Sequence, residues 1–217
     1  VLAPYQALVV VGHDGDPSVV ERPSGEAASR PEHRALDAGW RLVRPDGSDL
    51  GEVSLPHRWE DDPRIGPDFS GTLAYVTTIS TPAHAGPIRL DLGEGRPADD
   101  GGSGRERGIE GHSYRVQLVP PVGEVVRVLV DGVESATMWA PPYICDLTDR
   151  LHDRGSVTLR LEVSNTTANA LAADETVAGW VADAERWHGR RFRMQALDRV
   201  REGLASGLLT VPEIVLG

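Results

Sequence analysis

Lysine is absent from this sequence, cysteine occurs once, and aromatic side chains are few. All 22 basic residues are arginine, and aromatic residues make up 5% of the 217. Because Cys145 is alone, no intrachain disulfide can form, and the cysteine usage leaves the redox compartment open. The apolar setting of Cys145 next to Ile144 predicts an inert thiol.

Long apolar segments are also absent. The longest apolar run near the start, 7–11, is too short for a signal peptide or a membrane span. The formal net charge of −11 repels phosphate backbones and anionic lipid, so we expect neither nucleic acid nor a membrane as a partner. The chain starts at Val1 without a methionine, from which we expect processing or excision from a longer polypeptide.

The sequence offers no constellation of residues that would carry catalysis. The seven histidines are scattered without metal-ligand spacing, and we expect solvated surface positions for all of them. The glycine-rich run 101–108 lacks the ending of a phosphate loop, and Ser206 lacks the first glycine of a nucleophile elbow. The many carboxylates fix no pair at the separation that glycoside hydrolysis needs. We therefore predict no catalytic residue, no metal site and no cofactor.

Strand patterns dominate what is present. With 24 glycines and 16 prolines, the composition favours a turn-rich β chain over a helical one. Apolar and polar side chains alternate in several segments, which predicts antiparallel strands with one buried face. The side chains expected to point inward are Leu73, Tyr75, Leu90, Leu92, Val116, Leu118, Val128, Val130, Leu159, Leu161 and Val163.

Turn and helix signals complete the prediction of an all-β antiparallel sandwich with one short helix. Asp131-Gly132 between two valine-rich strands predicts a tight hairpin. Helical spacing of Val177, Trp180, Val181, Ala184 and Trp187 predicts an amphipathic helix over about 175–188. The other predicted segments are a strand over 5–11, a linker over 12–34, a surface loop over 95–111, a short turn over 147–151 capped by Asp146, and a closing strand over 208–216 interrupted by Pro212.

Several motifs follow one another in a specific order. They are Phe69-Ser70-Gly71-Thr72-Leu73-Ala74-Tyr75, Leu90-Asp91-Leu92-Gly93, Val126-Arg127-Val128-Leu129-Val130-Asp131-Gly132, Met138-Trp139-Ala140-Pro141-Pro142-Tyr143, Leu161-Glu162-Val163-Ser164-Asn165-Thr166, Ala168-Asn169-Ala170-Leu171 and Ser206-Gly207-Leu208-Leu209. In this order they resemble the galactose-binding-like jelly roll of glycoside hydrolase family 2 sugar-binding domains. The resemblance is strongest to the version at the C-terminal end of large bacterial α-L-rhamnosidase-type enzymes of family 106. It covers about residues 36–216.

The resemblance implies a domain division and a non-catalytic role. Residues 1–35 would be the last strand of a preceding domain plus a linker, and residues 36–217 would be the β-sandwich. The family's catalytic carboxylates lie in a separate barrel domain, and no position here matches them. The implied partner is that catalytic barrel in the same polypeptide. Two departures are Asp131, where asparagine is commoner, and Thr210-Val211-Pro212, where Gly-Pro usually follows the two leucines.

Three functions stay open on the sequence: an ancillary domain beside a catalytic barrel, an independent carbohydrate-binding module, and a glycosidase in its own right. If the domain contacts glycan, we expect Trp139 and Tyr143 to do so, with Trp59 and Asp68 as helpers. Trp139 and Tyr143 flank the stiff segment 140–142, and aromatic rings suit the C–H faces of sugars. The alternative role for these two rings is packing in the core or against another domain. Exposed aromatics in a groove would favour the binding module, and a broad apolar patch the ancillary domain.

Overall fold

The structure is a computed structural model, and it describes residues 31–81, 83–97, 118–152, 154–189 and 203–217. The strands are β1 (Glu32–Ala35), β2 (Trp40–Val43), β3 (Asp49–Val53), β4 (His57–Arg58), β5 (Thr72–Ser80), β6 (Ile88–Asp91), β7 (Arg96–Pro97), β8 (Leu118–Val119), β9 (Val125–Val130), β10 (Val133–Met138), β11 (Ile144–Asp146), β12 (Ser156–Ser164), β13 (Gly207–Leu208) and β14 (Glu213–Leu216). The helices are α1 (Thr148–Leu151), α2 (Ala168–Ala173) and α3 (Glu175–His188), with a 3-10 turn at Trp59–Asp61.

Two antiparallel sheets face each other across one core. The larger sheet has the order β10-β9-β12-β5-β2-β3, and the smaller has the order β1-β14-β6-β11. One apolar cluster takes side chains from both sheets, among them Leu161 from the larger and Leu90 from the smaller. Two short strand pairs, β13 with β4 and β7 with β8, lie outside these sheets. This is the all-β sandwich that the sequence predicts.

Alternation in the strands places the predicted inward side chains in the core. In β12, every second residue from Val157 to Val163 is buried, while Ser156 and Thr158 are exposed. Confirmed as buried are Leu73, Tyr75, Leu90, Leu92, Val128, Val130, Leu159, Leu161 and Val163. Val116 and the side chain of Leu118 lie outside the described residues. A one-residue slip of β12 would turn all of its apolar side chains to solvent, so burial fixes the register.

The hairpin and the longest helix form where the sequence predicts them. Strand β9 ends at Val130 and β10 begins at Val133, and Asp131 and Gly132 between them have φ values of 49° and 78°. Positive φ at both positions is what a two-residue hairpin turn requires. Helix α3 has the predicted bounds and begins after Asp174, whose carboxylate accepts hydrogen bonds from the first turn.

The closing segment is interrupted at Pro212, as predicted. Strand β13 pairs with β4, and β14 pairs with β1 and β6 on the far side of the proline. The Asp146 carboxylate accepts a hydrogen bond from the Thr148 N–H at 2.8 Å at the start of α1, while the six-residue α2 is an addition to the one predicted helix. No described helix is long and apolar enough to cross a bilayer. The strand predicted over 5–11, most of the linker and most of the 95–111 loop lie outside the described residues.

Candidate functional site

Hydrogen-bonded side chains join segments that are far apart in the sequence, and we name His57, Trp59, Asp62 and Tyr75 the His57 cluster. The Tyr75 side chain is fully buried, and its hydroxyl oxygen is the centre of the cluster. The indole N–H of Trp59 donates to this oxygen at 2.8 Å, and the backbone N–H of Leu208 donates at 3.1 Å. Nδ1 of His57 lies 2.8 Å from the same oxygen, and Nε2 of His57 lies 3.0 Å from Oδ2 of Asp62.

The hydrogen bonds of Tyr75 assign the ring proton of His57. A phenol oxygen has one proton to donate and two lone pairs with which to accept. Both lone pairs of Tyr75 are occupied by N–H donors, so its O–H donates to Nδ1 of His57. The proton of the imidazole therefore lies on Nε2, which donates to Asp62. His57 thus connects the buried phenol to a carboxylate, and its side chain is only 11% exposed, so the expectation of a solvated His57 is wrong.

Arg64 holds Asp62 as a carboxylate. Nη2 of Arg64 donates to Oδ2 of Asp62 at 2.6 Å, Nε donates to Oδ1 at 2.9 Å, and the backbone N–H of Arg64 donates to Oδ1 at 2.9 Å. These bonds hold the pKa of Asp62 well below its usual range, although burial acts in the opposite direction. Nη1 of Arg64 donates to the Leu50 carbonyl oxygen at 2.7 Å. Arg64 therefore links Asp62 of the His57 cluster to strand β3.

Gly207 permits the close approach on which the His57 cluster depends. Its φ is 113°, and a Cβ placed there would lie 2.3 Å from the carbonyl oxygen of His57 and 3.1 Å from the Tyr75 hydroxyl. Only glycine fits this combination of space and backbone angle. The Ser206-Gly207 motif therefore lets β13 pair with β4 and present the Leu208 N–H to the phenol.

A second polar cluster, Asn165, Asn169 and Ser206, binds strand ends and loop backbone. The Asn165 amide accepts from the Gly71 N–H at 2.8 Å, and its NH₂ donates to the Ser206 hydroxyl at 3.0 Å. The Asn169 amide accepts from the Leu204 N–H at 2.6 Å and donates to the Ser206 hydroxyl at 3.1 Å. Asn165 satisfies a backbone group where β5 begins, next to the end of β12, and Asn169 satisfies backbone groups of Leu204.

The bonding of the nucleophilic side chains limits the chemistry of both clusters. The Ser206 hydroxyl is buried, donates to the Leu204 carbonyl oxygen at 3.1 Å and accepts from the two asparagines. Burial raises the pKa of Cys145 to about 12, which keeps this thiol protonated and supports the prediction that it is inert. Over the described residues, no group of three histidine, cysteine or acidic side chains could hold a metal ion.

A groove of about 560 Å³ opens beside the His57 cluster. Its lining carries charges of both signs, from Arg58, Asp61, Arg64 and Arg96 among others. Part of this charge is already compensated, because Arg64 is bonded to Asp62 and Arg58 lies 3.7 Å from Asp61. The groove can hydrogen-bond a polar ligand, and His57 is among its lining residues.

The four residues predicted to contact sugar divide into two pairs by burial. Trp59 is 1% exposed and packs edge-on against Phe69, and Tyr143 is 5% exposed. Trp139 is 73% exposed and Asp68 is also on the surface. The burial of Trp59 and Tyr143 favours the packing role that the sequence left open for Tyr143. The assignment of the four residues to sugar contact stays a prediction.

Two tryptophans on α3 are exposed and were not among the residues predicted to contact sugar. Trp180 and Trp187 were counted on the apolar side of the amphipathic helix, and they are 67% and 82% exposed. Val181 supplies the buried contact of α3. At 100° per residue, Trp180 and Trp187 stand roughly 100° and 120° around the helix from Val181, in the same direction. Both therefore point away from the buried side of α3. The seven-residue spacing of the two indoles was the signal available in the sequence.

Comparisons with known proteins give structural matches alone. No protein-family model matches the chain, and no curated protein matches it. The fold is similar to a rhamnosidase from Novosphingobium sp. PP1Y, with a TM-score of 0.54 and 20% identity over 88% of this chain and 16% of that one. An FMN-binding β-glucuronidase from Faecalibacterium prausnitzii L2-6 gives a TM-score of 0.47 and 20% identity over 85% of this chain and 22% of that one. A β-glucuronidase 2 mutant from Bacteroides uniformis gives a TM-score of 0.48 and 12% identity over 86% of this chain and 18% of that one.

These neighbours are glycoside hydrolases, and the chain spans about a fifth of their length or less in each case. It spans 16% of the rhamnosidase, 22% of the first glucuronidase and 18% of the second. The likeness to the rhamnosidase shows the fold, an all-β sandwich that matches one part of that larger protein.

Proposed function

We propose that this chain is a non-catalytic ancillary domain of a larger glycoside hydrolase whose parent is of the α-L-rhamnosidase type. The observation that carries the proposal is the similarity to the Novosphingobium rhamnosidase, which takes in 88% of this chain and 16% of that protein. The ordered sequence motifs support the same relationship. In this proposal the fold is a galactose-binding-like jelly roll, residues 1–35 precede it, and its partner is a catalytic barrel in the same polypeptide.

The positions of the motif residues support a scaffold role. The last motifs contain Asn165, Asn169, Ser206 and Gly207, and each of these four satisfies or approaches backbone. A residue used in this way holds loops in place and has no free group to offer a substrate. In this proposal, the motifs that resemble the glycoside hydrolase domains hold the strands and loops of the sandwich together.

The bonding of the acidic residues also supports a non-catalytic role. Asp62 is occupied by Arg64 and His57, and Glu60 accepts a hydrogen bond from the backbone N–H of Ser206 through Oε1. A general acid in glycoside hydrolysis needs a raised pKa so that it is protonated near neutral pH. Asp62 has the opposite property, because its pKa is lowered by Arg64.

Enzyme assays test this proposal. The purified chain is assayed against aryl α-L-rhamnosides and aryl β-galactosides, next to the variants Glu60→Gln and Asp62→Asn. We expect no turnover above the rate of a protein-free blank in any of the three samples. Turnover that follows the chain through purification and disappears in one carboxylate variant, with the fold intact by circular dichroism, would establish the chain as a glycosidase.

The second candidate function is an independent carbohydrate-binding module, and the exposure of Trp139 favours it. Trp139 stands 73% exposed between β10 and β11, ahead of the two prolines, and Asp68 is an exposed carboxylate that can accept hydrogen bonds from hydroxyls. Calorimetry with rhamnose and galactose oligosaccharides tests it. A heat of binding that Trp139→Ala removes and Asp68→Asn reduces would support this module, and equal binding by all three proteins would contradict it.

A further inference from the structure

Helix α3 carries two tryptophans that are exposed on the same side. Trp180 and Trp187 are seven residues apart, which is two turns of helix, or about 10.5 Å along its axis. Their angular offset is only about 20°, so both indoles stand over one line on the helix surface. They are 67% and 82% exposed, whereas Val181 of the same helix is buried.

The surface between the two indoles is small and polar. Asp183 and Ala184 lie three or four residues from each tryptophan and are therefore its neighbours on the helix. The Asp183 carboxylate is exposed and accepts a hydrogen bond from Nη1 of Arg186 at 2.9 Å. The pattern along the helix is an aromatic ring, an ion pair with donors and acceptors, and a second aromatic ring.

We propose that this face of α3, formed by Trp180, Asp183, Ala184, Arg186 and Trp187, binds an extended β-1,4-linked glycan chain. Each indole stacks on the C–H face of one sugar ring. Neighbouring rings of such a chain are flipped, so every second ring presents the same face. The axial offset of about 10.5 Å between the two residues is close to the length of two pyranose units, which places the ring between them over Asp183 and its partner Arg186, where its hydroxyls exchange hydrogen bonds with both side chains.

The exposed area favours a glycan over a protein as the occupant. Two indoles offer about 300–500 Å² of apolar surface at most. A stable protein interface buries about 800 Å² on each partner around an apolar centre. Here the centre is the Asp183–Arg186 ion pair, which a protein partner would have to desolvate. A bound glycan leaves part of the ion pair in contact with water and offers hydroxyl groups in place of the water molecules that it displaces.

This inference is independent of the proposed parent enzyme. It assigns the binding face to α3 and not to the Trp139 segment between β10 and β11, and it requires no catalytic activity in any part of the polypeptide. The two tryptophan sites can therefore be separated by single substitutions, because Trp139 is as exposed as the helix pair.

Calorimetric titration of the full chain with β-1,4-linked glucose oligomers of two, three and six units tests the proposal. Three units are the shortest chain that can cover both indoles, so affinity should rise steeply between the dimer and the trimer. We expect Trp180→Ala and Trp187→Ala each to weaken hexamer binding by about ten-fold or more, and the double variant to abolish it. Val133→Ala, a control at an exposed apolar residue on β10, should bind as the unmodified chain does, Asp183→Asn should bind more weakly, and Trp139→Ala is titrated beside them as the competing site.

Three outcomes overturn the proposal. One is the absence of binding by the unmodified chain to the glucose hexamer and to the corresponding xylose hexamer. Another is a loss confined to Trp139→Ala, which would place the sugar at the site of the binding-module hypothesis. The third is a concentration-dependent dimer in sedimentation that the Trp180→Ala/Trp187→Ala variant lacks, which would identify a second copy as the occupant. Circular dichroism of each variant confirms that α3 is intact.

Discussion

The five tryptophans form two groups, one buried in the core and one exposed on the surface. Trp40 and Trp59 are 0% and 1% exposed, and both belong to the apolar core. Trp139, Trp180 and Trp187 are 73%, 67% and 82% exposed. In a chain with so few aromatic residues, three large apolar side chains in water are the feature that most needs an explanation from function.

The indole N–H groups show the same contrast. Trp40 donates to the Leu36 carbonyl oxygen at 2.7 Å, and Trp59 donates to the Tyr75 hydroxyl at 2.8 Å. Burial of an indole requires such a partner, because an unpaired buried donor costs about 1–3 kcal/mol. An exposed indole can use water and has no such requirement. The buried tryptophans are therefore part of the sandwich itself, whereas the exposed ones are available to a ligand or partner.

The largest expected effect that tests this contrast is at Trp59. Trp59→Ala removes a side chain from the core and one donor from the Tyr75 hydroxyl, so we expect a loss of about 3–5 kcal/mol in the free energy of unfolding. Urea denaturation followed by circular dichroism measures it. Trp59→Phe should lose clearly less, because it keeps most of the packing. A loss below about 1 kcal/mol for Trp59→Ala would contradict the core position.

The next effect concerns the phenol of Tyr75. Tyr75→Phe keeps the ring but leaves the Trp59 and Leu208 N–H groups without their acceptor, so we expect a loss of about 1–3 kcal/mol. Urea denaturation of Tyr75→Phe, of Trp59→Phe and of the double variant measures the coupling. The double variant should lose less than the sum of the two, because Trp59→Phe removes one of the orphaned donors. Strict additivity would show that the two groups do not interact.

Sequence reasoning found the core and missed the His57 cluster for one physical reason. Alternation along a strand is a local pattern, so the burial of Leu161 could be predicted from its own neighbours. The cluster brings His57 to Tyr75, which lies 18 positions away along the chain, and the Tyr75 hydroxyl accepts from the Leu208 N–H, which lies 133 positions away. No short-range pattern encodes that meeting, and an isolated histidine between a proline and an arginine gives no indication of burial.

The two tryptophan groups show the same limit of sequence reasoning. The helix bounds of α3 followed from spacing, because caps and periodicity are local. Which side of α3 faces the sandwich depends on what lies beneath it, so Val181 and Trp180 could not be told apart. Trp59 and Tyr143 were predicted to contact any bound sugar, with packing as the alternative for Tyr143, and the structure buries both of them.

Acid provides a third test, at the carboxylate of Asp62. Because Arg64 lowers the folded-state pKa of Asp62, its contribution to stability is present above the unfolded-state pKa of about 3.9 and is lost as pH falls below that value. We expect the difference in unfolding free energy between the unmodified chain and Asp62→Asn to shrink from pH 7 to pH 3. Asp61→Asn, at an exposed neighbour, serves as the control. A difference that is constant over this range would contradict the role of the ionised carboxylate.

The smallest expected effect completes the contrast between the two groups. Trp180→Ala and Trp187→Ala remove rings that contact mainly water, so each should change the free energy of unfolding by less than about 0.5 kcal/mol. Alanine is also the better helix former, which offsets part of any lost contact in α3. Urea denaturation of both variants beside Trp59→Ala gives the comparison under one condition. A loss above about 1.5 kcal/mol at either position would mean that the indole packs on the sandwich, and the face of α3 would then have no ring to offer a glycan.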